Sequence, residues 1–380
     1  MKKVFIIIGI FLLCGAAVGQ FDTALERQLT QDIQDNRLDE FSHIEAAFIL
    51  SGANNPDSLA VYLQWYDNLL ETIRGYNLDT HDRIASASKV FAYLHGSWLQ
   101  NYKEEATTLI NVVNEKRFNC VAGTILYNLV CADLGWPTEA FETPTHTFTI
   151  FPDFGQEITV ENTSSVGFNI MRNLHEYSRY LMQFYPENQA YQIGLDRIYA
   201  YENSKGRKIN NTELLGLLAY NRAYFANRRQ DYKEAYEFVL LAQHFNRDSR
   251  SNYQFEISLY YRWGQQLVER QDFQTAFSVF ADAYYRYWDN KDFAKNCKLA
   301  FQLAQKENWQ NKDWFQFQRL TNEMLDLGLL EEQEMQHLKT YMLNWIKFFQ
   351  YNKPENQLQG VTNYWRNVFP DDSFLQSLPE

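Results

Sequence analysis

Apolar and polar residues recur along most of the chain at the three-to-four-residue spacing of amphipathic helices. We expect residues 21–105 to form helices, with one helix from Asp22 to Leu50. A later helix, capped by Asp79 or Thr80, is expected to continue through Tyr102. The N-terminal part of the chain is therefore predicted to be a set of packed helices.

The periodicity then changes from helical to strand-like. Helices are expected from Glu104 to Val113 and from Cys120 onward. Two segments that follow them, Glu142 to Ile150 and Glu157 to Asn162, alternate with period two, and a turn that contains Pro and Gly joins them. A helix is expected again from about Phe168 to Phe184. The pattern thus predicts a small antiparallel β insertion in a helical protein.

After this insertion the helical pattern becomes repetitive. Segments Leu218 to Arg247 and Tyr260 to Trp288 align with an offset of 41 residues. An aspartate and three small residues coincide in this alignment: Asp231 with Asp272, Ala223 with Gly264, Ala235 with Ala276, and Ala242 with Ala283. Small residues recur where the two helices of a hairpin meet, so both segments predict helical hairpins of a solenoid. Asp292 to Asn308 is expected to begin a third, and helices after it to cap the stack.

The N-terminus has the pattern of a secretory signal peptide. Lys2 and Lys3 precede the apolar run from Val4 to Leu13, and small residues stand before the expected cleavage site at Gln20. A lipid anchor through Cys14 is the less favoured alternative, because a leucine precedes it where a small residue is required. We expect an exported protein, periplasmic or secreted, without a membrane span once the signal is removed.

These patterns predict five parts of the chain. They are a signal peptide (1–19), N-terminal helices (20–85), a mixed α and β domain (86–185), helical repeats (186–300) and C-terminal capping helices (301–380).

Composition narrows the function classes. The chain has 380 residues, a formal net charge of −12 and 16% aromatic residues. The acidic balance and the lack of a basic stripe argue against nucleic acid as a partner. No phosphate-binding loop or spaced set of metal ligands is apparent, so neither cofactor nor metal is expected. The repeat aromatics are expected mostly in the core: Tyr220, Tyr224, Phe225, Tyr260, Tyr261 and Trp263.

Three cysteines remain after the expected signal cleavage, so at least one must be free. Cys120 and Cys131 would lie about three turns apart on one helix, too far for a disulfide. Cys131 and Cys297 are expected to be small buried residues.

Cys120 stands at the start of a helix, where unpaired N–H groups and the helix dipole stabilise an anion such as a thiolate. A histidine beside it could exchange the thiol proton. Strand alternation places His146 on one face with Phe148 and Ile150, and we expect this apolar face to pack on the Cys120 helix. The imidazole would then lie near the thiol.

A third side chain would orient the imidazole. Glu161 follows at the end of the next strand, a natural distance for an antiparallel neighbour. Asn162 is the alternative, because it shares the apolar face of that strand with Val160 and an amide can also orient a histidine. The pattern alone leaves this choice open.

Five motifs follow one another in this stretch: Phe118-Asn119-Cys120, Thr124-Ile125-Leu126-Tyr127, Leu134-Gly135, Pro144-Thr145-His146 and Val160-Glu161. With them the chain resembles the transglutaminase-like superfamily of papain-like cysteine hydrolases over about residues 90–170. With the later segments, which resemble tetratricopeptide repeats, it is similar to bacterial members that join the two parts. Upstream, Leu94-His95, Leu99 and Tyr102 also look like that branch.

The resemblance implies a fold that is mainly α with a small α+β insertion. In it the cysteine helix packs on a short antiparallel sheet, and an α-helical repeat solenoid follows. It further implies that Cys120 is the nucleophile, His146 the base and Glu161 the acid, where the family usually has aspartate.

Two functions are compatible with these patterns. The first is an exported cysteine hydrolase or acyl transferase that acts on peptide or protein amides through Cys120, His146 and Glu161, with the repeats holding the substrate. The second is a catalytically inactive scaffold in the cell envelope, in which the repeats recruit a protein partner.

Overall fold

The structure is a computed structural model, and it describes residues 21, 23–79, 81–153, 155–170, 206–352 and 355–378. The expected signal peptide lies outside these residues, as does almost all of the helix expected from Phe168 to Phe184. The described chain is mainly helical with a small sheet region, as the sequence predicts. It divides between Leu259 and Tyr260 into two compact units.

Four helices begin the first unit: α1 (Ala24–Asp32), α2 (His43–Leu50), α3 (Pro56–Arg74) and α4 (Arg83–Ser97). The single helix expected from Asp22 to Leu50 is wrong. A 3₁₀ turn follows α1, and Asn36 adopts the left-handed conformation with φ 70°. The Asp32 carboxylate then accepts hydrogen bonds from the backbone N–H groups of residues 39–41. This side chain stabilises a turn that the apolar spacing did not reveal.

The helix expected to reach Tyr102 also ends early. Asp82 caps α4, accepting a hydrogen bond from Ala85 N at 2.9 Å, so neither Asp79 nor Thr80 is the cap. Tyr102 instead lies in a short strand, β1 (Asn101–Tyr102), which pairs in parallel with β2 (Arg117–Phe118). Tyr102 is thereby aligned with Phe118, two residues before Cys120.

The expected helix from Glu104 to Val113 is shorter and shifted. It is α5 (Leu109–Glu115), which begins at a capping box between Thr108 and Asn111. The cysteine helix is α6 (Cys120–Asp133), and it begins where the sequence predicted.

Four antiparallel strands form the main sheet of the first unit, in the order β5-β4-β3-β6. They are β3 (Glu139–Glu142), β4 (Thr147–Asp153), β5 (Gln156–Val160) and β6 (Arg207–Ile209). The segment from Glu142 to Ile150 is therefore not one strand. The chain reverses between β3 and β4, so that Glu142 pairs with Thr147.

Helix α6 packs on β4 through polar side chains. Thr149 donates a hydrogen bond to Asn128 of α6, and Thr124 donates to the Thr147 carbonyl at 3.4 Å. Phe148 points to the other face, where it stacks on Phe141 with 5.3 Å between ring centroids. The expectation that the Phe148 face packs on the cysteine helix is therefore wrong.

The first predicted repeat is a helical hairpin of the first unit, α7 (Asn211–Arg228) and α8 (Tyr232–Phe245). Asp231 caps α8, and the small residues Ala223, Ala235 and Ala242 are fully buried. Besides α8, α7 packs against α2 and α6. This hairpin is thus part of the same compact body as the cysteine helix.

The following helix, α9 (Arg250–Glu269), crosses the division between the units. The second unit continues with α10 (Phe273–Arg286), α11 (Lys291–Asn311), α12 (Trp314–Asp326), α13 (Glu332–Asn352), α14 (Glu355–Val368) and α15 (Ser373–Ser377). No helix in the described parts of either unit combines the length and apolar character of a membrane span.

The 41-residue spacing extends into a third hairpin. Asp231, Asp272 and Asp313 each cap the second helix of a hairpin. The residue before each aspartate has a positive φ between 56° and 63°. Helices α11 and α12 therefore form the third hairpin. It extends beyond the segment from Asp292 to Asn308, and α12, which was expected to cap the stack, is its second helix.

Candidate active site

The sulfur atom of Cys120 stands at the N-terminus of α6 and is partly exposed. The buried Asn119 caps the helix: its Oδ1 accepts hydrogen bonds from Val121 N at 3.0 Å and Ala122 N at 3.1 Å. Its Nδ2 donates to the carbonyl of Glu104 at 2.9 Å. Asn119 thus fixes the helix start that carries the thiol and leaves the Cys120 N–H directed out of the helix.

His146 reaches the thiol from a turn and not from a strand. Thr143 N donates to the His146 carbonyl at 2.8 Å, and His146 N donates to Thr143 Oγ1 at 3.0 Å. These bonds close the reversal between β3 and β4 and place the buried imidazole beside Cys120, in the same cleft. The sequence thus predicted that His146 is a neighbour of Cys120, but it placed this histidine on a strand and not in the turn before β4.

Glu161 is the partner of the imidazole. Its Oε2 lies 2.7 Å from Nε2 of His146, and the carboxylate is fully buried. Its Oε1 accepts hydrogen bonds from the backbone N–H and the hydroxyl of Thr163. Both carboxylate oxygens are therefore held in place.

Asn162, the alternative orienting residue, faces α6 as strand alternation predicted. Its amide donates to Thr149 Oγ1 at 2.8 Å and to Thr124 Oγ1 at 3.2 Å. It supports the contact between helix and sheet, whereas Glu161 binds the histidine. Because the chain turns at the end of β5, Glu161 contacts the turn of His146 whereas Asn162 contacts α6.

The charge state of His146 follows from its neighbours. Burial by itself lowers the pKa of His146, but the Glu161 carboxylate and the hydrogen bond with Cys120 outweigh it and raise the pKa to about 10. The imidazole therefore carries a proton at neutral pH. In a cysteine–histidine pair, this is the proton that the leaving amine needs.

His95 and Tyr102 lie near the site, and the sequence patterns had given neither residue a role. His95 is buried on α4 between Phe91 and Phe118, with ring centroids 4.4 and 6.0 Å away. Burial lowers the pKa of His95 to about 4, and the nearby backbone of Leu99, the Glu161 carboxylate and the backbone of Asn162 oppose this in part. His95 is thus a neutral, buried side chain of α4 close to the segment that carries Glu161.

Tyr102 is the second residue. Its ring packs edge-on against Phe118 with 5.9 Å between centroids, and its side chain lines the same cleft as Cys120 and His146. Burial and the nearby Cys120, Glu161 and Glu104 raise the pKa of Tyr102. Within the described part of the chain, its hydroxyl has no hydrogen-bond partner. The apolar spacing put Tyr102 on a helix, and only the family resemblance of the sequence singled out this residue.

Cys120 opens into a cleft of about 460 Å³. The N-terminus of α6 and the turn from Thr143 to Thr147 line this cleft, together with one face of α7 and the start of α9. The aromatics of α7 are thus only in part core residues, since Tyr220, Tyr224 and Phe225 line this cleft. Tyr260 and Trp263 are buried as expected.

The remaining cysteines behave as expected. Cys131 and Cys297 are free and buried, and burial raises the pKa of Cys131 to about 12. Cys120 is the one partly exposed thiol among the cysteines that the structure describes.

Comparison with other proteins adds no further constraint on this cleft: no protein-family model matches the chain, and no curated protein matches it significantly.

Proposed function

We propose that the chain is a cysteine hydrolase or acyl transferase of the transglutaminase-like kind, acting on peptide or protein amides. The observation that carries the proposal is the placement of one imidazole between a partly exposed thiol and a buried carboxylate. His146 forms a hydrogen bond with Glu161 and lies beside Cys120, at the wall of an open cleft. A nucleophile, a base and an orienting group in this order are the requirements of covalent acyl transfer.

The reaction proceeds in two balanced steps. The sulfur of Cys120 attacks the amide carbonyl carbon, and the carbon–nitrogen bond breaks as His146 gives its proton to the leaving amine. A thioester remains on Cys120. Water or an amine then attacks the thioester and loses a proton to His146, and the carbon–sulfur bond breaks to return the starting site.

Charge develops on the carbonyl oxygen during both attacks. The Cys120 N–H at the start of α6 is one donor for this oxygen. We assign the second donor to the Tyr102 hydroxyl, which lines the cleft and is not engaged elsewhere in the described chain. Glu161 holds the imidazole in the orientation that both proton transfers need.

The chain is further proposed to be exported, with the helical hairpins contributing a binding surface for a peptide or protein. Export rests on the charged and apolar pattern of residues 1–19. N-terminal sequencing of protein from the cell envelope or the medium should give Gln20 as the first residue. Protein that keeps Met1 in the cytoplasm would contradict this part of the proposal.

The test of the proposal is the rate of iodoacetamide alkylation of Cys120 against pH, followed by peptide mass spectrometry. We expect Cys120 to react well below pH 8, with Cys131 and Cys297 as slow, buried references. His146→Ala should slow the reaction, whereas His81→Ala, which changes an exposed histidine, should not. If Cys120 does not react, or if its alkylation rate does not depend on His146, the enzymatic function is overturned and the protein-binding scaffold remains.

A further inference from the structure

Helix α7 has two different apolar faces. One is buried against the rest of the first unit and consists of Leu214, Leu215, Leu218, Ala219, Ala223 and Ala226. The other lines the cleft and consists of Leu217, Tyr220, Asn221, Tyr224 and Phe225. Their spacing of three and four residues is that of a single helix face. This second set is called the α7 cleft face.

The α7 cleft face is accessible and mostly apolar. Tyr224 is 37% exposed, and the four other side chains are half-buried. Tyr220 is steadied by an edge-on contact with Phe255, with 5.4 Å between centroids. Exposed aromatic rings on a rigid helix offer a large contact area at a small loss of conformational entropy.

The occupant of this face must share the cleft with Cys120. The acyl part of a substrate that is bonded to the sulfur lies in this cleft, whose lining includes both the turn of His146 and α7. The α7 cleft face is therefore within the space open to the side chain next to the reacting carbonyl.

The charges in the cleft indicate which side chains fit. Besides His146, the charged side chains that line it are Glu104 and Glu142. Glu142 is paired with Arg207 at 3.2 Å. Glu104 is exposed and forms no ion pair with any described residue. An acidic substrate residue in this cleft would share it with the Glu104 carboxylate and with apolar rings, so it is disfavoured.

We propose that the α7 cleft face is a specificity subsite for an apolar side chain, aromatic or aliphatic, next to the reacting carbonyl of a peptide, and that it rejects acidic side chains. The inference rests on the proposed function, because it places the substrate by its bond to Cys120. It gives the first helical hairpin a direct part in substrate selection.

The test uses matched peptide electrophiles that label Cys120. The probes are acetyl-glycyl-Phe and acetyl-glycyl-Glu chloromethyl ketones, compared by their second-order rates of inactivation in wild type, Leu217→Ala, Tyr224→Ala and Tyr253→Ala. Tyr253 is a matched control, since it is 40% exposed and does not line the cleft. Thermal unfolding of each variant verifies that it is folded.

We expect wild type to prefer the Phe probe over the Glu probe by roughly tenfold or more, the scale of one buried apolar side chain. Tyr224→Ala and Leu217→Ala should each reduce this ratio by about fivefold, whereas Tyr253→Ala should keep it. Both probes react with the same thiol in each variant, so the ratio of their rates does not depend on differences in thiol reactivity between variants.

The two proposals fail in different ways. If iodoacetamide labels Cys120 with the expected dependence on His146, but the Phe to Glu ratio is near one or is unchanged in both cleft variants, the subsite is wrong and the proposed function stands. If iodoacetamide labelling is indifferent to His146, both are overturned.

Discussion

Nε2 of His146 and Oε2 of Glu161 lie 2.7 Å apart, and both side chains are almost completely shielded from solvent. The second oxygen of Glu161 is held by Thr163, so the carboxylate has one orientation. The residue stands directly after β5, and its longer side chain spans the distance to the turn of His146. Glu161 therefore holds the imidazole from the end of β5.

The first prediction concerns the length and charge of this side chain. Glu161→Gln should lower the hydrolysis of acetyl-glycyl-Phe-4-nitroanilide by about 100-fold or more, because the imidazole loses its charged partner. Glu161→Asp keeps the charge, but its shorter side chain holds the carboxylate farther from Nε2 of His146. We therefore expect a clear loss of the hydrolysis rate in this variant too. Glu157→Gln changes an exposed carboxylate of β5 and serves as control. Wild-type rates in Glu161→Gln would show that the pair is structural.

The second prediction concerns the protonation of His146. Its pKa of about 10 lies above the ordinary value of 6.5. Its ring signals in nuclear magnetic resonance should therefore show a protonated imidazole across neutral pH. In Glu161→Gln the midpoint should fall by roughly one to three pH units, because burial remains while the attraction is lost. An unchanged midpoint would contradict the role given to Glu161.

The same shift has a consequence for stability. A histidine whose pKa is raised on folding stabilises the fold fully below its ordinary value, and this contribution is lost as the pH rises through the folded value. The excess of unfolding free energy of wild type over His146→Gln should therefore be largest below about pH 6.5 and decline towards pH 10. Urea unfolding at several pH values measures it, and an excess that grows with pH would contradict the assignment.

The third prediction concerns Tyr102. Tyr102→Phe keeps the ring against Phe118 but removes the hydroxyl. We expect kcat for the anilide to fall by about 100-fold with little change in KM, the scale of one oxyanion donor. Alkylation by iodoacetamide forms no oxyanion, so its rate should change far less. Equal losses in both reactions would show that Tyr102 acts on the thiol itself. Tyr76→Phe is the control, since Tyr76 is exposed.

The fourth prediction tests the helix contact in the second repeat. A Cβ at Gly264 would lie 2.2 Å from the Phe280 ring, so Gly264→Ala should destabilise the protein by about 1–3 kcal/mol. Gly360 lies on α14 with nothing within 4 Å of an added Cβ. Gly360→Ala should therefore stabilise the protein by roughly 0.5–1 kcal/mol. Chemical unfolding of both variants decides this, and equal effects would refute the packing argument.

The sequence predicted a helical protein, a small β insertion and two hairpins because these depend on local periodicity. The cap of α8 at Asp231 and the start of α6 at Cys120 follow from side chains within a few residues. The end of α4 and the reversal before His146 did not follow, because short strands and turns carry weak periodic signals. Apolar spacing extended the helix through Tyr102 for this reason.

Cys120, His146 and Glu161 were named from the sequence, since their residue types suit the chemistry of acyl transfer. Tertiary structure decided between Glu161 and Asn162, because a turn at a strand end changes which way consecutive side chains point. It also decided that α7 lines the same cleft as Cys120. Local periodicity shows that a helix has an apolar face, but whether that face meets another helix or an open cleft depends on contacts between residues far apart in the chain.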